Sequence, residues 1–199
     1  MEEKILSKYL KAGKIAKKVK EFAGKEIKEG VKALALAEKI EKMIKEQGGS
    51  LAFPVNICVN EIAAHYTPDI NDPLTFEHDD LVKIDIGVHI DGYIADTAFT
   101  VCVGKKSHPL INAAEKTLEN LLKEFKPGKN IAELSAFIED NIKKFGFNPV
   151  RNLAGHGLER YIQHAEPSVP NGKVDAKGTL KEDQVLGMEI FVTDGIGWV

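Results

Sequence analysis

The segment Leu81–Val103 constrains the fold more than any other part of the chain. Two β-patterned runs, Leu81–Ile90 and Tyr93–Val103, are separated by only Asp91-Gly92. An Asp-Gly pair between such runs is a strong signal for a two-residue hairpin, because both turn positions need positive φ. If these two residues form the turn, Ile90 pairs with Tyr93, Gly87 lies opposite Asp96, and Asp85 lies opposite Ala98. Side chains alternate along a strand and directly opposed residues share a face. Asp85 and Asp96 are then diagonal neighbours on one face, with backbone positions roughly 7–8 Å apart. The other face collects Ile84, Ile86, Val88, Ile90, Ala95, Phe99 and Val101, a coherent core surface.

The chemistry follows from that separation. Two carboxylates crowded on one sheet face repel each other, so either one is protonated or a cation joins them. Gly87 and Ala98 are small and are expected to leave room between them. An ordinary solvent-facing sheet with two surface aspartates fits the hairpin alone equally well, so further ligands decide the matter. His156 stands in Ala154-Gly155-His156-Gly157, where the glycines allow close backbone approach. Glu189 falls within the apolar run Val185–Val192, where a buried acid needs a partner. Two aspartates, a histidine and a glutamate suit Mn²⁺, Fe²⁺, Co²⁺ or Zn²⁺, unlike the thiolates of structural zinc sites.

Around the hairpin, periodicity predicts helices in the first half-hundred residues, with Ile5, Tyr9, Leu10, Ala12, Ile15, Ala16 and Val19 recurring at helical spacing and lysines on the opposite face. Gly24 and Gly30 are expected to bracket a break. A second helix runs from about residue 31 to 47, stopped by Gly48-Gly49. Further helices are expected at 109–125 and 131–145, the latter opening on Asn130 with Glu133 in capping-box spacing. Short strands are expected at 51–53 and 57–59, and a β-prone run at 184–193. Helices and hairpins in separate blocks predict an α+β layered fold, an antiparallel sheet covered by helices, in a single domain over 1–199.

Composition excludes several classes. The 27 basic and 30 acidic residues nearly cancel, leaving a net charge of −3 and no whole-protein field inviting nucleic acid. The lysines between Lys4 and Lys32 read as a solvated helix face. Cys58 and Cys102 sit among apolar neighbours and predict reduced, buried thiols. The N-terminus lacks the apolar core of a signal peptide, and no apolar run approaches the roughly 20 residues of a membrane span. These features predict a cytoplasmic protein.

At the residues already singled out, the sequence resembles the type 2 methionine aminopeptidases of peptidase family M24. The match runs through Phe53-Pro54-Val55-Asn56, Asn60–Pro68 (NEIAAHYTP), Lys83–Val101 (KIDIGVHIDGYIADTAFTV), Asn152–Asn171 (NLAGHGLERYIQHAEPSVPN) and Gly187–Gly197 (GMEIFVTDGIG). The resemblance implies a pita-bread fold and a hydrolase with two divalent metal ions (Co, Mn, Fe or Zn). It implies that Asp85 chelates one ion, Asp96 bridges both, and His156 and Glu189 complete the second. A hydroxide shared by the metals would attack the scissile carbonyl. His65 would lie near the substrate amine, His164 would contact the scissile amide, Glu189 would shuttle the proton, and Phe53 would line the methionine pocket.

The family's fifth ligand is a bridging glutamate on a strand beyond the Glu189 motif. The chain ends at Val199, and Asp194, in a turn-like Asp-Gly, does not replace that ligand. The fold is therefore expected to be incomplete at the C-terminus. The implied partners are peptide or nascent-protein N-termini beginning with Met, met by a monomer associated with the ribosome, with no membrane or specific nucleic acid. Two competing readings are a pita-bread binding module with impaired catalysis, and an Xaa-Pro aminopeptidase or prolidase relative. The AAHYTP and GHGLERYxxH segments favour methionine aminopeptidase.

Overall fold

In the computed structural model, which describes residues 1–199, the chain opens with helix α1 (Glu3–Glu26). Its buried residues, Ala12, Ile15, Ala16, Val19 and Ala23, recur at helical spacing, while most of its lysines stay in solvent. The helix runs two residues past Gly24 and ends at Glu26, so the break opens between Gly24 and Gly30 as expected. One interior glycine costs about 1 kcal/mol, which burial of the neighbouring Ala23 and Val19 readily offsets. Ile27 is the C-cap of α1, and the connection to the next helix includes Gly30, whose φ of +80° suits glycine. Helix α2 (Ala33–Glu46) follows, burying Leu36, Ala37, Ile40 and Ile44. It ends at Gly48, φ +78°, with the Gly49 amide donating back to the Ile44 carbonyl.

Four antiparallel strands come next: β1 (Ser50–Leu51), β2 (Asn56–Val59), β3 (Leu81–Ile90) and β4 (Tyr93–Cys102). The long strand β3 pairs with β4 along one edge and with β1 and β2 in succession along the other. Asp91 and Gly92 have φ of 51° and 87°, as a primed turn requires. The turn is held from α1: Lys8 Nζ lies 2.8 Å from Asp91 Oδ2, and the rings of Tyr9 and Tyr93 meet edge to face at 5.2 Å. One hairpin face packs Ile84, Ile86 and Val88 into a core with the buried residues of α1 and α2, joined by Ile90, Ala95, Phe99 and Val101. Both cysteines are buried and unbridged.

These elements form one compact unit, Met1–Ser107; His108–Val199 form a second. The second begins with helix α3 (Pro109–Leu121), capped by His108 Nδ1, which accepts from the Leu110 amide. It stops short of the expected residue 125 because its last bonds tighten to i→i+3, Lys123 to Asn120 and Glu124 to Leu121. Helix α4 (Ile131–Lys144) is capped by Asn130 Oδ1, which accepts from the amides of Ala132 and Glu133. Glu133 does not close a capping box; its carboxylate pairs with Lys129 at 3.3 Å. The strands are β5 (Asn148–Pro149), β6 (Ala154–Glu159), β7 (Ile162–Pro170), β8 (Leu186–Gly187) and β9 (Val192–Thr193), in sheets ordered β7-β6-β8 and β5-β9. Leu121, Leu134, Ile138, Ile142 and Val169 fill the core of this unit.

An ion pair ties α4 to the segments around β6. Arg151 grips Glu139 with two bonds of 2.8 and 2.6 Å, and the Lys173 amide donates to the same carboxylate at 2.8 Å. The hydrogen bonds from Arg151 hold the Glu139 carboxyl below the usual carboxylate range. A lowered folded-state value stabilises above the unfolded carboxylate pKa of about 4.3. That stabilisation is lost as pH falls through the lowered value. Glu139→Gln is therefore expected to lower the melting temperature at neutral pH by roughly 5 °C or more. The difference from wild type should shrink steadily in melting curves taken below pH 4. An undiminished gap at low pH would contradict the assignment.

No helix of the structure is long and apolar enough to cross a membrane.

Candidate metal centre

The hairpin register places the two aspartates as the sequence predicts. Gly87 is paired with Asp96 and Asp85 with Ala98, so both carboxylates leave the sheet on the face opposite the core. The space above Gly87, expected to be open, holds the ring of Phe53. A Cβ on Gly87 would lie far inside van der Waals contact with Cε1 of that ring. Phe53 therefore packs on the carboxylate face beside both acids, and Gly87 is the residue that admits it.

His65 belongs to the loop after β2, and three tethers hold that loop to the strand. The Ile57 amide donates to the Tyr66 carbonyl at 2.7 Å, the Tyr66 amide donates to Cys58 Sγ, and Asn56 Nδ2 donates to Thr67 Oγ1 at 3.0 Å. Asn56 is itself paired with Asp85 across β2 and β3, so it shares the carboxylate face. The Tyr66 hydroxyl donates to Asp72 at 2.6 Å, a bond that lowers the Asp72 pKa and raises that of the phenol. His65 lies between these anchors, exposed, with φ of +65°. A non-glycine residue there is uncommon and persists only where its surroundings fix it.

Lys83, also on the carboxylate face, is partly buried, and its Nζ donates to the carbonyls of Asn60 and Leu81. Burial holds the ammonium below its ordinary pKa and raises that of the Cys58 thiol opposite it.

In the second unit, β6 presents His156, 6% exposed. Its Nδ1 is 3.1 Å from the Gly157 carbonyl. With the Nδ1 proton donated there, Nε2 keeps its lone pair for a metal, the tautomer that a carbonyl at the other ring nitrogen fixes in metal-binding imidazoles. Nε2 lies 3.8 Å from Glu189 Oε1. That is too long for a hydrogen bond but suits two ligands of one ion, each about 2 Å from it. The ring of His164, on β7, meets the His156 ring edge to face at 4.5 Å. The donors thus fit the divalent metals expected from the sequence: a carboxylate pair in one unit and an imidazole–carboxylate pair in the other.

Sequence reasoning passed over Asn56, Lys83 and Asn171. Each acts through backbone carbonyls or neighbouring loops, and no spacing rule marks such a residue in advance.

The chain belongs to metallopeptidase family M24, which it matches over residues 7–199. Divalent-metal binding is part of that membership. Within the family it is similar to archaeal methionine aminopeptidases, enzymes whose substrates are peptides with an N-terminal methionine. It is 46% identical to that of Methanocaldococcus jannaschii over 199 residues, covering 100% of this chain and 68% of the relative. To that of Pyrococcus abyssi it is 52% identical over 195 residues, covering 98% and 66%. The chain thus spans about two thirds of the length of the curated relatives it matches. Among solved structures, methionine aminopeptidase from Thermotoga maritima superposes with a TM-score of 0.91 at 26% identity, covering 99% of this chain and 83% of that one. Prolidase from Pyrococcus furiosus gives 0.83 at 26% identity, covering 97% and 58%. The expected pita-bread fold is the fold these proteins share.

Proposed function

We propose that this chain forms a single catalytic domain over 1–199 that removes N-terminal methionine from peptides and nascent proteins in the cytoplasm, as a monomer meeting its substrates at or near the ribosome. The observation that carries the reading is the diagonal placement of Asp85 and Asp96 across Gly87 on the face turned away from the core. In this reading Asp85, Asp96, His156 and Glu189 hold two divalent ions, drawn from Co, Mn, Fe or Zn. Such ions, when bound, polarise a carbonyl and lower the pKa of water.

The remaining work falls to the protein's side chains. The Phe53 ring, packed against Gly87, offers an apolar wall for the methionine side chain. His65, held by the Tyr66 and Thr67 tethers, receives the substrate amine. His164 orients the scissile amide through its imidazole. Glu189 takes a proton from water and returns it to the departing amine, a role open to a carboxylate beside an imidazole.

The test offers the purified chain a Met-Ala-Ser peptide and an Xaa-Pro peptide, each with and without added Mn²⁺ or Co²⁺. Release of methionine only with metal supports the reading. Cleavage of the Xaa-Pro peptide instead would move the chain to the prolidase branch. Metal binding without cleavage of either would favour a binding module. His65→Ala is expected to lower methionine release by roughly 10²-fold or more while metal content stays at the wild-type level. Loss of metal in that variant would show that its assigned role is wrong.

A further inference from the structure

The backbone carrying Glu189 is not held as the sequence suggests. The β-prone run 184–193 pairs in ladders only at its ends, with β8 on His156–Gly157 and β9 on Asn148–Pro149. Between them, residues 188–191 lie outside any strand, and Glu189 is among them. Asn171, fully buried just after β7, takes up the task. Its Nδ2 donates to the Glu189 carbonyl at 2.9 Å and to the Leu153 carbonyl at 3.2 Å, and its Oδ1 accepts from the Phe191 amide at 2.7 Å. One primary amide thus bonds a carbonyl and an amide two residues apart, as a neighbouring strand's peptide group would. The same side chain reaches Leu153, at the entry to the strand that presents His156.

We propose that Asn171 is a positioning residue that fixes the backbone at Glu189 and so aims its carboxylate at His156. The proposal deepens the reading of Glu189 as a metal ligand and rests on it. Asn171 is itself well anchored: its own amide donates to the Leu153 carbonyl at 3.1 Å, and two residues on, Lys173 is tied to Glu139. Asparagine is required for its chemistry, because aspartate would keep the Phe191 bond and turn an acceptor toward two carbonyls that need donors.

Titration calorimetry of Mn²⁺ into the full chain tests this with Asn171→Asp, Glu189→Gln and a core control, Ile138→Val. Asn171→Asp is expected to weaken Mn²⁺ binding by roughly 10–100-fold, the range seen when outer-shell partners of metal ligands are lost. Ile138→Val should lower the melting temperature with affinity within about twofold of wild type. If Glu189→Gln or the wild type shows that Glu189 contributes nothing to binding, the underlying reading fails. If Glu189→Gln weakens binding but Asn171→Asp does not, or does so no more than the core control at equal thermal loss, the positioning role is overturned. Hydrogen exchange in the wild type gives a check that needs no variant. The Phe191 amide should exchange slowly, and exchange at the rate of an open loop would equally overturn the proposal.

Discussion

Replacing Asp96 with alanine is expected to abolish methionine release and to strip metal from the purified protein. Asp96 stands directly across from Gly87, diagonal to Asp85, and in the proposed reading it would serve both ions. Losing an outer-shell group costs roughly 10–100-fold in metal affinity, so losing a shared ligand should exceed that range. The fold should survive, because Asp96 lies on the face away from the core that Ile84, Ile86 and Val88 build. Two measurements check this together: metal content by elemental analysis and thermal melting. Normal stoichiometry in a folded variant would defeat the assignment of the hairpin as a ligand platform.

The second large effect is expected at Gly157. A Cβ added there would overlap the carbonyl of Glu166 on the adjoining strand β7, with the Ala165 carbonyl close behind. Those are backbone atoms in a paired sheet, so no side-chain rotation relieves the clash. Gly157→Ala should therefore cost at least about 1–3 kcal/mol, the penalty typical of overpacking. In a chain of this size that amounts to a fall of roughly 2–4 °C in melting temperature per kcal/mol. Because Gly157 follows His156 and its carbonyl faces His156 Nδ1, metal affinity should fall with it. A variant with unchanged melting and unchanged Mn²⁺ binding would mean that β6 and β7 pack more loosely than described.

The hairpin was legible because every cue for it is local: a two-residue turn with positive φ, alternation on both sides, and apolar residues sorted to one face. Its register and both aspartates follow from those cues alone. The helices were legible as stripes, and Gly48-Gly49 and Asn130 marked the end of α2 and the start of α4, but the ends of α1 and α3 were not legible. Burial carries α1 two residues past Gly24, and the last turn of α3 tightens where periodicity alone would carry it on. The run 184–193 has β-prone residues throughout, yet its middle bonds to the side chain of Asn171, eighteen residues earlier in sequence. Phe53 shows the same limit. Sequence reads Gly87 as empty space, whereas the fold brings an aromatic ring from 34 residues away to fill it. Interactions of this kind depend on which loops meet, and no periodicity records that.

The Asp91-Gly92 corner sets a severe rule for how such a chain can vary. Asp91 at its tip is exposed, and hairpin tips are usually where insertions are harmless, although Gly92 is buried and α1 holds the turn. Here, one residue added or removed would slide β4 by a single position against β3 and turn its alternating side chains over. Asp96 would then point into the greasy interior, and its apolar neighbours would be turned out to water. The length of this peripheral bend is therefore under as much constraint as the acids themselves.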